Sequence, residues 1–75
     1  MKDLLEFIVK SLVDDPIQVQ VSEAQSGYTV LLELRVAPED MGRVIGKGGR
    51  VINSIRTLLR LAAAREGRRV EVELA

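Results

Sequence analysis

This sequence contains no cysteine, no histidine and no tryptophan, and its only aromatic residues are Phe7 and Tyr28. Without cysteine it forms no disulfide, and without cysteine or histidine it lacks the donors of a structural zinc site, a thiol nucleophile and an imidazole base. Of the two adjacent carboxylate pairs, Asp14-Asp15 stands before Pro16 and reads as a helix stop, and Glu39-Asp40 follows Pro38 in the first turn of a short helix. Enzymatic chemistry is therefore not expected, nor a cofactor or small-molecule substrate. Long apolar runs are missing too. The opening "MKDLLEFIVKSLVDD" carries Asp3 and Glu6 within its apolar pattern, which excludes a signal peptide or membrane helix there and leads to the expectation of a cytoplasmic protein.

What remains is 75 residues, material for one domain over 1–75 with one core. Small domains commonly rely on disulfides, metals or oligomerisation. Since the first two are excluded, association with a second copy or another chain is expected. The formal charge is zero, but it is unevenly placed. Residues 1–41 hold three cations against eight carboxylates, whereas residues 42–69 hold eight cations against Glu66 alone. Such a separation creates one basic region on an acidic body, able to steer a polyanion to one face. The other reading of those arginines is a solvated helix face.

Leu4, Leu5, Ile8 and Leu12 recur at helical spacing up to the stop at Asp14-Asp15-Pro16. Ile17, Val19 and Val21 then alternate with polar residues, and after "EAQSG" a second alternation runs through Val30, Leu32, Leu34 and Val36. These patterns predict two antiparallel strands joined by a turn at Gly27. Pro38 suits the first turn of a short helix reaching Ile45, with Glu39 and Asp40 at its positive end. A longer helix follows to about Arg65, with Leu58, Val51, Ala62, Ile55, Leu59, Ile52 and Ala63 forming its core arc, and Gly67 closes it. Val70, Val72 and Leu74 complete a third strand. The order α-β-β-α-α-β predicts an α+β domain, a three-stranded sheet covered on one face by three helices.

The most distinctive stretch is "VIGKGGRVI", Val44 to Ile52, lying between the last two helices. It is not a dinucleotide fingerprint, which needs a preceding strand and a glycine where Val51 stands. Nor is it a nucleotide hydrolase P-loop, since only three residues lie between Gly42 and Gly46 where that motif needs four, and Lys47 is followed by Gly48 rather than a hydroxyl residue. The remaining reading is a tight helix–loop–helix turn with a bare backbone. Gly46 ends the first helix with a positive dihedral, and Gly49 opens a path to the N–H groups of the next, flanked by Arg43, Lys47 and Arg50. A turn alone needs one or two glycines and tolerates acidic residues at 47 and 50. Three glycines with two cations point instead to an anion site for phosphodiesters, with no carboxylate to hold magnesium or activate water.

"VIGKGGRVI" resembles the V-I-G-x-x-G-x-x-I signature of KH domains, with Gly46-Lys47-Gly48-Gly49 as the G-x-x-G loop and Ile52 as the following aliphatic residue. The α-β-β-α-α-β order resembles the type II KH topology, and the whole sequence is similar to the small bacterial KH proteins of the KhpA type. The resemblance implies binding of single-stranded RNA, about four nucleotides held between the loop and the sheet edge. It also implies an RNA chaperone or post-transcriptional role, a larger Jag/KhpB-type KH partner, and a part in cell elongation and division. With two aromatics, stacking platforms are unavailable, so an aliphatic groove is expected. Val44, Ile45 and Val51 are candidates for its floor or else ordinary core, and Arg35 is either a sugar or base contact or a solvated strand charge. Arg56 and Arg60 either extend the basic track or are simply solvated.

Leu61 falls outside the core arc of the long helix, with Ser54, Thr57 and Leu58 as its neighbours at helical spacing. Small and apolar groups there let a second helix lie closely, so Ser54, Thr57, Leu58 and Leu61 are the expected dimer surface, toward a second copy or the Jag/KhpB-type partner. Two functions follow from these features: non-catalytic RNA binding through the loop, or an adaptor in which the fold serves mainly for dimerisation.

Overall fold

In the computed structural model, which describes Met1–Ala75, helix α1 spans Lys2–Leu12, strands β1 and β2 span Gln20–Ser26 and Thr29–Arg35, helices α2 and α3 span Met41–Ile45 and Arg50–Arg65, and strand β3 spans Arg69–Leu74. The order is the α-β-β-α-α-β of the type II KH topology. β1 and β2 are antiparallel across the turn at Gly27, where φ is +60°, with Val21 opposite Leu34. β3 joins the other side of β2 in parallel, pairing Val30 with Val70 and Leu32 with Val72. A parallel neighbour requires a crossover, and α2 with α3 supplies it.

Val21, Val30, Leu32, Leu34, Val70 and Val72 share one face of the sheet and are buried, whereas Ser22, Leu31, Glu33, Glu71 and Glu73 on the other face are exposed. The three helices cover the buried face, with α1 packed over β1 and α3 over β3. Ile52, Ile55, Leu59 and Ala63 from α3 meet Leu5 and Val9 from α1 and Val44 from α2 in this core. No helix is long and apolar enough to cross a membrane.

Some expected boundaries and faces shift. Ile17 is not in β1 but in a 3₁₀ turn, Pro16–Gln18, where it is 91% exposed. Pro16 favours that turn with its fixed φ, and Gln18 N–H to Asp15 O and Val19 N–H to Pro16 O close it, each at 3.2 Å. On α1 the inward line is Leu5–Val9, with Leu4 and Leu12 at its exposed margins. The segment from Pro38 is a 3₁₀ turn, Pro38–Asp40, before α2 proper. Leu58 leaves the core arc, being 53% exposed beside Leu61 at 61%.

Two local devices hold α2 in place. Asp40 is the one buried charged residue, 2% exposed. Its carboxylate accepts hydrogen bonds from the backbone N–H groups of Asp14 and Asp15, both at 3.1 Å, so it fastens the end of α1 to the start of α2. Arg43 lies over this junction, its Nη2 3.0 Å from Asp14 Oδ2 and its Nε 3.8 Å from Asp40 Oδ1. A buried carboxylate is tolerated only with such partners.

The second device is Gly46, whose φ of +74° and ψ of 170° lie in a region essentially reserved for glycine. A Cβ there would lie 2.5 Å from Val51 Cγ2 and 2.9 Å from Val51 Cβ and backbone nitrogen. Gly48, by contrast, has φ +64° with open space around it.

Asp40→Asn keeps the shape but turns one acceptor into a donor facing an N–H, a loss of about 2 kcal/mol that lowers Tm by roughly 8–16 °C in a domain of this size. A Tm within roughly 2 °C of the native value would remove the carboxylate from its structural role. Gly46→Ala meets both strain and overlap and should cost about 2–5 kcal/mol, against about 1 kcal/mol for Gly48→Ala. Thermal melts of the pair check that ranking, and equal losses would contradict it.

Candidate nucleic-acid interface

Gly46 terminates α2 by donating its N–H to Gly42 O at 2.9 Å, and the chain then reverses within Lys47–Gly49. Gly49 N–H returns to Gly46 O at 3.1 Å. Gly48 at φ +64°, ψ 19° and Gly49 at φ +81°, ψ 13° are consecutive left-handed residues, a combination that only glycines adopt without strain. Their backbone bends so sharply that α3 starts immediately at Arg50.

The start of α3 departs from what an isolated helix prefers. No side chain caps it, and its first turn holds no acidic residue. Instead Arg50 occupies the first helical position, with Lys47 three residues before it. Cations at the positive end of a helix dipole are unfavourable by a few tenths of a kcal/mol, about 0.3–1 where measured for the opposite pairing. The fold gains nothing from this arrangement. An anion approaching the loop gains the dipole, the leading N–H groups and two positive charges together.

The cations near the loop are not equivalent. Lys47 and Arg50 are exposed and form no ion pair, whereas Arg43 is engaged by Asp14 and Asp40. Arg35 lies on the sheet face that the helices leave uncovered, 3.8 Å from Glu33 Oε1, so the fold separates it from the loop. Among the candidate floor residues, Val44 is fully buried and belongs to the core. Ile45 and Val51 are half-buried against that core and keep apolar surface beside the loop.

Two residues with no clear signal in the sequence shape the helix flank next to β3. Asn53 adjoins the loop, its Nδ2 3.3 Å from where a Cβ on Gly49 would stand. Arg56 donates from Nη1 to Asn53 Oδ1 at 3.3 Å, and from Nε and Nη2 to Val72 O at 3.3 and 3.0 Å. It thereby ties α3 to the edge strand β3. Arg56 is therefore a clamp rather than a solvated charge, a role that needs the tertiary position of Val72 and that spacing alone does not reveal.

On the outer face of α3, Ser54 Oγ donates to Arg50 O at 2.8 Å and Thr57 Oγ1 to Asn53 O at 3.0 Å. Their hydroxyls are satisfied within the helix, so they present a smooth surface next to exposed Leu58 and Leu61. The structure thus brings Gly46, Lys47, Gly48, Gly49, Arg50, Ile45 and Val51 to one place, and Ser54, Thr57, Leu58 and Leu61 to another.

Comparison with known proteins agrees with this geometry. The family model described as "KhpA/KhpB, KH domain" matches residues 2–74. The chain is 58% identical over 74 residues to the "RNA-binding protein KhpA" of Clostridium acetobutylicum and 51% identical over 74 residues to that of Clostridium perfringens, covering 99% of both partners in each case. It is 46% identical over 72 residues to the "RNA-binding protein KhpA" of Borreliella burgdorferi, covering 96% of this chain and 88% of that protein. No solved structure matches the chain significantly. With its glycine loop between two helices, its type II topology and a family match that runs almost from end to end, this chain belongs to the KhpA/KhpB family of KH-domain proteins.

Proposed function

We propose that the protein is a non-catalytic, cytoplasmic single-stranded RNA-binding protein, with Gly46-Lys47-Gly48-Gly49 as its phosphate grip. The observation that carries this reading is the uncapped, acid-free start of α3, reached through two left-handed glycines and flanked by the unpaired Lys47 and Arg50. Phosphates approach the bare backbone, and Ile45 and Val51 offer apolar surface to bases turned inward. Arg43 contributes mainly by holding the α1–α2 junction and by its positive field, because a phosphate must compete with Asp14 for its guanidinium. Low sequence specificity follows from a grip directed at the backbone.

The working unit is a dimer through Ser54, Thr57, Leu58 and Leu61, either of two copies or with a Jag/KhpB-type KH protein. The exposed leucine pair and the internally satisfied hydroxyls support it. Two grooves on one strand gain avidity, as suits an RNA chaperone. A role in cell elongation and division is carried over from the family resemblance. The same leucine patch is what favours the adaptor reading, in which dimerisation is the whole task.

Binding of short single-stranded RNA is expected to show a log–log salt slope near −2, as about three neutralised phosphates give. Lys47→Asp combined with Gly48→Asp should abolish it while keeping the fold and the mass, at a cost of about 1 kcal/mol or roughly 4–8 °C in Tm, because aspartate visits the left-handed region more readily than most residues and position 48 has open space. Equal binding by both proteins would favour the adaptor. Leu61→Lys should lower the mass in solution to that of a monomer, and an unchanged dimer would place the interface elsewhere.

A further inference from the structure

The face of the sheet turned away from the helices is used by nothing in the fold. Its strand registers place Ala24, Leu31 and Glu71 in one row and Ser22, Glu33 and Glu73 in the next, and all six are exposed. Glu33 and Glu73 are thus direct neighbours on adjacent strands, whose spacing is about 4.8 Å, with Glu71 one row away. Like charges placed opposite each other destabilise a sheet. Arg35 lies 3.8 Å from Glu33 Oε1, but Glu71 and Glu73 form no ion pair and accept no hydrogen bond through their side chains. No group of acidic side chains is arranged to hold a metal ion. The three carboxylates therefore repel one another without serving the fold or a metal.

A sheet with one solvated face is common, but a merely solvated surface mixes charges of both signs. Here the signs are sorted. The carboxylates sit together in the two central rows around exposed Leu31, while Arg35 and Arg69 stand at the two ends. Such a surface repels a polyanion and attracts a polycation. The small residues on β1 let another backbone come close, Leu31 and Ala24 offer an apolar footing, and the carboxylates are suited to guanidinium forks. A second copy offers this face only its basic side. Because those two surfaces differ, the contact is head-to-tail and does not close as a pair. The outer face of α3, with Leu58 and Leu61, lies on the far side of the helical layer, so a dimer formed there leaves the sheet open.

We propose that the open face of the sheet is a docking site for a basic segment of another protein. Arginine or lysine side chains of that segment lie on Glu33, Glu71 and Glu73, and an aliphatic side chain rests on Leu31 and Ala24. The glycine loop belongs to the helical layer on the other side of the sheet, so the docked protein keeps its loop free. The proposal therefore stands independently of the RNA-binding reading.

The probe is a labelled synthetic peptide that interleaves arginine with leucine, titrated at about 0.15 M salt so that only close charges count. The sheet variant Glu33→Gln, Glu71→Gln, Glu73→Gln is compared with a control, Asp3→Asn, Glu39→Gln, Glu66→Gln, which removes as many exposed carboxylates elsewhere. The native protein should bind the peptide with its largest amide shifts at Leu31, Glu33, Glu71 and Glu73. The sheet variant should bind about tenfold more weakly, the sum of three exposed ion pairs, and the control within about twofold of the native protein. The sheet variant should also melt at or above the native Tm, because its repulsion is relieved. Equal weakening by both variants reduces the effect to net charge and overturns the site. So does the absence of native binding, or shifts confined to Leu58 and Leu61. A sheet variant that melts more than about 4 °C lower returns the carboxylates to the fold. Self-association of the native protein without peptide, lost in the sheet variant, makes a second copy the occupant instead.

Discussion

The contact between the Gly46 backbone and Val51 sets the geometry of everything around it. The first turn of α3 lies directly against the residue that ends α2, closer than any side chain at position 46 allows. Because the reversal is that tight, the four residues Gly46–Gly49 suffice to connect the two helices of the crossover between β2 and the parallel strand β3. The same tightness turns the N-terminus of α3 outward with nothing capping it. Packing and exposure of the anion-attracting end are thus consequences of one constraint. Gly48 and Gly49 then serve a different purpose, because their backbone angles rather than their surroundings call for glycine, most clearly at Gly48, where the space is open.

Around this turn the charges fall into two groups. Some are used by the fold. Asp40, Asp14 and Arg43 fasten α1 to α2, and Arg56 fastens α3 to β3. Others are left unused by it: Lys47 and Arg50 at the loop, and Arg60, Arg68 and Arg69 at the far end of α3. A net charge of zero conceals this division. The second group is what the fold leaves open to a polyanion, and its positions are nevertheless determined by the first.

Much of this was legible in the chain. The alternation in Val30–Leu34 and the helical spacing of Ile52, Ile55, Leu59 and Ala63 report burial directly, because each residue meets the core on the period of its own element. The glycine loop was equally clear, since its positive dihedrals and its cations both appear as residue types. Ile17 misled because an apolar residue in step with Val19 and Val21 mimics a strand, whereas Pro16 commits the backbone to a turn. Leu58 sits at the edge of its arc, where a helical wheel cannot say how far the neighbouring layer reaches. The Asp40 carboxylate and the Arg56 guanidinium were hidden for a common reason. Each binds backbone groups distant in sequence, and main-chain acceptors and donors carry no residue-type signal.

The most direct measurement follows backbone amide resonances of the protein while a short single-stranded RNA is titrated in. The largest shifts are expected at Gly48, Gly49, Arg50 and Val51, with little change at Leu58 and Leu61. Shifts confined to the outer face of α3, or none at the glycines at saturating RNA, would contradict the assignment of the loop as the phosphate grip.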